Sequence, residues 1–289
     1  MALYLVATPI GNLEDITLRA LRTLREVPLI AAEDTRSARV LLRHYGITTP
    51  VTSYHDVNKR SKLPALLAKL REGDLALISE AGTPGINDPG YELVVAAAAE
   101  GIAVVPVPGP SAPLAALTVS GLPADRFVYE GFLPRKSGER RRALRALASE
   151  PRTIVVLEAP HRLRESLTDV LAELGNRAIA VCRELTKLHE EVFRGDVVGA
   201  LAHFTAPRGE FVLVLGGAPT AQEAAPIDAL IAAGLAAGTP PARLAAEIAS
   251  VSGARRRDVY RAMLARDGGT SDREKKIATD PTENPSQIR

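Results

Sequence analysis

The chain has no tryptophan, one cysteine and two methionines, and aromatic residues make up 4% of its 289 positions. A single cysteine, Cys182, excludes an intramolecular disulfide. It follows the apolar run Ala178-Ile179-Ala180-Val181 and reads as a small packing residue without redox chemistry. So few aromatics do not advertise a base-stacking surface. No stretch reaches the roughly eighteen apolar residues of a membrane-spanning helix. The N-terminus also lacks a basic segment followed by a long apolar run, so no signal peptide and no membrane association are expected, and a cytoplasmic protein is. The phosphate-loop pattern G-x-x-x-x-G-K-[ST] is missing, as is G-x-G-x-x-G after the first apolar run with an acidic partner beyond it, which excludes the two commonest nucleotide sites. The net charge of +2 is too small to indicate a nucleic-acid partner by itself. Any such surface has to come from local clustering.

What is present is a soluble composition, 46% hydrophobic and 24% charged, in a chain long enough for two domains. From Leu3 to Leu122, short apolar runs at Leu3–Thr8, Leu29–Ala32, Val51–Tyr54, Leu75–Ser79 and Ala103–Val107 alternate with helical patterns. This predicts an α/β domain over residues 1–122 with a mainly parallel sheet. After the break at Gly121-Leu122-Pro123, a second α/β domain is expected over 123–218, with strands from Phe127, Thr153, Ala178, Glu191 and Phe211. Short helical patterns follow over 219–266 and predict a small helical appendage, Arg255–Leu264 being its last helix. Residues 267–289 are polar and aperiodic and read as a flexible tail.

Four apolar runs of the first domain end in small, rigid or acidic residues. They lead into Pro9-Ile10-Gly11-Asn12, Glu33-Asp34-Thr35-Arg36, Glu80-Ala81-Gly82-Thr83-Pro84 and Pro108-Gly109-Pro110-Ser111-Ala112. Strand ends of an open α/β sheet are where ligands bind. Glycine opens backbone conformations closed to other residues and proline fixes them. The acidic and apolar character suits hydroxyls, an amino group and a purine ring better than a polyphosphate. No metal site is expected. His55 and His161 titrate near neutrality in general, but a lone histidine is more often structural.

These loops, together with Gly131-Phe132-Leu133-Pro134, Pro160-His161-Arg162 and Arg183-Glu184-Leu185-Thr186-Lys187, resemble the tetrapyrrole methylase superfamily. They are most similar to its ribosomal RNA small subunit methyltransferase I branch, over Leu3 to Gly217. The resemblance implies two α/β domains with a methyl-donor cleft between them, S-adenosylmethionine as donor, a homodimer, and 2′-O-methylation of a cytidine ribose in the decoding region of small-subunit RNA, free or in the assembled subunit. It assigns donor contacts to Pro9, Ile10, Glu80, Ala81, Gly82, Thr83, Ser111, Ala112, Leu157, Glu158, Ala159 and the neighbourhood of Gly209. Asp34 with Arg36, and Glu184 with Lys187, are the candidate catalytic or substrate-orienting pairs.

Two positions depart from the branch: Glu80 stands where aspartate is usual, and the segment Ser53–Lys59 lacks a glutamate after its asparagine. Basic residues cluster at Arg135, Lys136, Arg140, Arg141, Arg142 and Arg145, and again at Arg255, Arg256, Arg257 and Arg261. The first cluster is the expected RNA surface, the alternative being a solvated helix face. Two other functions stay open at this point: a methyltransferase of the same superfamily acting on a tetrapyrrole or a protein side chain, and a non-catalytic RNA-binding assembly factor.

Overall fold

The structure is a computed structural model that describes residues 1–219, 227–252 and 256–263. Met1–Gly217 form one compact unit and the residues from Ala218 a second. Two five-stranded sheets lie in the first unit.

The first sheet contains β1 (Ala2–Val6), β2 (Leu29–Ala32), β3 (Val51–Ser53), β4 (Leu75–Ile78) and β5 (Ala103–Val107), in the order β3-β2-β4-β1-β5. Every pairing in it is parallel. Parallel strands need crossover connections that cover both faces, so their sequences are near-continuously apolar. The crossovers carry α1 (Leu18–Glu26), α2 (Thr35–His44), α3 (Lys59–Glu72) and α4 (Tyr91–Ala99), with α5 (Ala112–Ser120) after β5. Alternation along β4 sends Leu75 and Leu77 into one core and Ala76 and Ile78 into another. From β1 the chain moves out to β2 and β3, whereas from β4 it crosses β1 to reach β5. The loops after β1 and β4 therefore leave at a switch in strand order, where open α/β sheets hold ligands.

The second sheet contains β6 (Phe127–Phe132), β7 (Thr153–Glu158), β8 (Ala178–Arg183), β9 (Glu191–Asp196) and β10 (Phe211–Leu215), in the order β6-β7-β10-β8-β9. Only β6 and β7 pair in parallel, so this sheet is mixed. One face is covered by α6 (Ser137–Ala146), α7 (Leu163–Leu174) and α8 (Val197–His203). The other face packs against α5: Ala116 and Leu117 share a core with Val155, Ala180, Cys182, Val212 and Val214. That shared core joins the two sheets.

The α/β class and the helices after the second sheet agree with the expectations from sequence. Several element boundaries differ: β1 ends at Val6 rather than Thr8, and the third helix begins at Lys59 and keeps Pro64 inside it. The strand from Phe127 continues past Tyr129 to Phe132 because a bulge at Glu130, with Gly131 at φ 63°, lets pairing resume. In the second unit, α9 (Ile227–Ala236), α10 (Pro241–Ser252) and the helical residues 256–263 enclose Ile231, Leu244, Ala245, Ile248, Val259 and Met263. The expected tail at Gly268–Arg289, and Arg255 and Leu264 of the last helix, lie outside the described residues.

Candidate functional site

A cavity of about 630 Å³ lies where the carboxyl ends of the first sheet face the second. That size is in the range of small-ligand sites. Its wall is made by loops that are tied together. Thr8 and Gly82 exchange backbone hydrogen bonds of 2.9 and 3.0 Å, which joins the loops after β1 and β4. Thr83 Oγ1 donates to the Pro110 carbonyl at 3.3 Å, which adds the loop after β5. Of the expected donor residues, the cavity is lined by Pro9, Ile10, Glu80, Ala81, Gly82, Thr83, Ser111, Ala112, Leu157, Glu158 and Ala159. Gly209 is not among the lining residues, although Glu210, Phe211 and Val212 are.

One end is acidic. Glu33, Glu80 and Asp88 line it without any cation paired to them among the described residues. Burial, followed by the charges of Glu33, Glu80 and Asp56, pushes the Asp88 carboxyl up to about 6, against the partial relief of the Ser79 hydroxyl. Glu33 is raised as well, chiefly by burial, although the Glu80 backbone N–H donates to it at 3.3 Å. Across from them, burial and the charge of Asp88 push the Tyr129 phenol up to about 12. Unpaired buried carboxylates resist ionisation until a cation arrives. The remaining wall is apolar, with Ile10, Ala112, Leu157, Phe211 and Val212.

Glu158 lines the cavity only through its backbone. Its carboxylate is fully enclosed, pairing with Arg162 at 2.7 Å, accepting the Ala159 N–H at 2.8 Å and the Ser166 hydroxyl. It holds the start of α7 against β7 and, fully buried, does not reach a ligand in the cavity.

The two carboxylate–cation motifs have different positions. Asp34 is the N-cap of α2, accepting the Arg36 backbone N–H at 2.7 Å, and the Arg36 guanidinium holds its carboxyl down to about 2. Neither residue lines the cavity. Capping explains the sequence signal, since aspartate before a helix is a favoured cap. Lys187 does line the cavity, with its ammonium 3.0 Å from Glu184 and 2.6 Å from Glu210. Burial alone would lower the Lys187 ammonium; the bonds to Glu210 and Glu184 outweigh it and raise the group. The Glu210 backbone N–H, then Lys187, hold Glu184 below the usual carboxylate range. Glu184 and Thr186 both take left-handed backbone, at φ 48° and 68°. Such strain in residues with side chains persists only where the surroundings enforce it. Gly11 and Gly209 enforce it here by omission, since a Cβ would lie 2.4 Å from Lys187 Cγ and 2.5 Å from Glu184 Cγ respectively.

The basic cluster divides. Arg140 is 1% exposed and pairs with Asp169 at 2.7 Å, so it is a core ion pair and unavailable to phosphate. Arg141 and Arg145 converge on Glu173 at 2.6 and 2.9 Å. Arg135, Lys136 and Arg142 stay exposed. The sequence pattern assigned no role to Glu33, Asn87, Tyr129 or Phe132. Phe132 had a signal, as an aromatic in a chain with few.

The profile of the Tetrapyrrole (Corrin/Porphyrin) Methylases matches residues 2–201. The chain belongs to the tetrapyrrole methylase family. Among its relatives, ribosomal RNA small subunit methyltransferase I of Synechocystis sp. is 56% identical over 75% of this chain and 79% of its own length. The proteins of that name from Mesorhizobium japonicum and Escherichia coli O157:H7 are 50% and 47% identical, covering 91% and 92% of this chain and 91% and 96% of their own lengths. Among solved structures, the uroporphyrin-III C-methyl transferase from Thermus thermophilus complexed with S-adenyl homocysteine superposes with a TM-score of 0.55 at 24% identity, covering 75% of this chain and 97% of that one. A diphthine synthase does so with 0.58 at 15% identity, covering 75% and 90%. Both show the fold alone.

Proposed function

We propose that this chain is an S-adenosylmethionine-dependent methyltransferase of small-subunit ribosomal RNA, acting on the 2′-oxygen of a cytidine in the decoding region. The near-half identity to proteins named for small-subunit RNA methylation, over nine-tenths of the chain, carries this reading. The cavity supports the donor. A sulfonium and an amino group suit the uncompensated carboxylates of Glu33, Glu80 and Asp88, and an adenine suits the apolar wall of Ile10, Leu157, Phe211 and Val212. The donor supplies an activated methyl group. Pro9, Ile10, Glu80 to Thr83, Ser111 and Ala112 would hold it from one side, and Leu157 to Ala159 from the other, Glu158 through its backbone only.

Asp88 has the proton affinity to accept a hydroxyl proton near neutrality. Asp34 is committed to capping a helix and Glu184 to Lys187, so neither is offered as the base. Lys187 would place one cation at the cavity lip.

We further propose a homodimer and a cytoplasmic setting. On α4 and α5, Ala97, Ala116 and Leu117 are buried within the chain, and Val95, Leu114 and Val119 are exposed. No helix among the described residues is long and apolar enough to cross a membrane. Sedimentation at micromolar concentration tests the dimer, and a monomer mass would refute it. The activity is tested by incubating isolated small subunits with the protein and donor and mapping ribose methylation by resistance to alkaline cleavage. One protected cytidine in the decoding region is expected; a methyl on a base, or no methylation, would overturn the reading.

A further inference from the structure

Phe132 ends β6 at the cavity and is 54% exposed, while the other four phenylalanines, Phe127, Phe193, Phe204 and Phe211, are partly or fully buried. Ile86, 47% exposed, lines the same cavity. The two belong to one built junction. Asn87 has left-handed backbone at φ 63°, and its side-chain amide lies where a Cβ on Gly131 would be, 2.2 Å from that position. Asn87 therefore seats on Gly131, which brings Ile86 and Asp88 on one segment beside Phe132 on the other. The bulge at Glu130 is what turns Phe132 out of the regular strand alternation. Three and four residues beyond Phe132, Arg135 and Lys136 are exposed; the Arg135 side chain has no carboxylate partner among the described residues, and Lys136 has only a solvent-exposed pairing with Glu139 at 3.4 Å.

We propose that this rim is the seat of the target nucleotide, with Phe132 stacking on its base beside Ile86, and Arg135 and Lys136 holding the adjoining phosphates. The occupant is a single-stranded ribonucleotide segment. An apolar face alone would suit many partners, but an exposed aromatic ring with the exposed cations Arg135 and Lys136 a few residues on matches the alternation of flat base and negative phosphate. Phe132, Ile86 and Asp88 line the same cavity, so a base stacked on Phe132 brings its ribose to the cavity that holds Asp88. The inference rests on the RNA-methylation reading above.

The test uses the full chain. Phe132→Ala is expected to raise KM for small subunits on the order of tenfold to a hundredfold, as removal of one base stack does. Phe132→Tyr stays near the parent, and donor affinity by calorimetry and the sedimenting mass are unchanged. The charge reversals Arg135→Glu and Lys136→Glu raise KM and flatten its salt dependence by about one unit of slope for each phosphate no longer neutralised. The chain lacks tryptophan, so Phe132→Trp gives a single reporter. Its fluorescence should be quenched by a cytidine-rich RNA oligonucleotide, at concentrations where anisotropy of a labelled copy shows binding, and not by the donor. A parent KM in folded Phe132→Ala, a loss of donor affinity, or a change of mass would each overturn the proposal. If the parent itself fails to methylate small subunits, the functional reading falls instead.

Discussion

The acidic end of the cavity and its Lys187 lip both carry clustered carboxylates, but Glu33 and Asp88 at the first are raised and Glu184 at the second is lowered. At the acidic end no ion pair among the described residues holds Glu33, Glu80 or Asp88, and burial pushes Asp88 up to about 6. At the lip, Glu184 and Glu210 share the Lys187 ammonium, and Glu184 is held low. A folded chain that neutralises one carboxylate cluster and leaves another bare has kept the bare one for something outside itself. A cationic ligand supplies the charge that the acidic end lacks, and the lip needs none.

The largest effect is expected at the bare end. Asp88→Asn should weaken S-adenosylmethionine binding on the order of tenfold or more at neutral pH, since one carboxylate–cation interaction at a partly buried site is removed. Calorimetry measures it. The same variant should melt higher than the parent at neutral pH. The folded value near 6 lies above the ordinary 3.8, so the native state holds the proton more tightly and its stability falls as pH rises through that window. The asparagine variant is spared that fall. A lower melting temperature at neutral pH with unchanged donor affinity would erase the distinction between the two ends.

A smaller effect is expected at the lip. Lys187→Met leaves Glu184 and Glu210 without their cation and should lower the melting temperature by about 3–6 °C, the scale of one charge-assisted hydrogen bond of about 1.5 kcal/mol in a domain of this size. Glu184 sits below its ordinary value in the parent, so its contribution is present at neutral pH and disappears as pH falls through the acid range. Acid unfolding of the variant should therefore begin at higher pH. Donor affinity should move less than in Asp88→Asn; a larger drop would make the lip part of the donor site.

The smallest effect is expected at Arg36→Ala, because Arg36 is exposed and pairs with a helix cap outside the cavity. Turnover and donor affinity should stay within about twofold of the parent, an interval typical of surface substitutions. A large fall in turnover measured on small subunits would return Asp34 and Arg36 to the site.

The cavity-lining loops were legible because glycine and proline at strand ends constrain the backbone locally, and Pro9, Gly82 and Ser111 need no distant partner to be read. Arg140 was not legible: its partner Asp169 lies 29 residues away, on α7, and a count of basic residues cannot tell a core ion pair from a free surface charge. The resemblance assigns Glu158 to the donor, but a strand sends alternate side chains to opposite faces, and this one points to Arg162 and Ser166. Asp34 carried a signal that was read as chemistry when helix capping accounts for it. Gly209 falls one residue short of the lining, and its task is to make room for Glu184. Phe132 escaped because exposure is a tertiary property.

The central claim is that the bare carboxylates await a positive charge. S-adenosylmethionine and S-adenosylhomocysteine have nearly the same shape and differ by the methyl group and the sulfonium charge it brings, so their affinity ratio isolates that charge. Calorimetry of both, from about two pH units below neutrality to one above, should show the ratio rising in favour of the sulfonium as pH passes about 6, the range in which Asp88 ionises. A ratio that stays constant across that range would contradict the account.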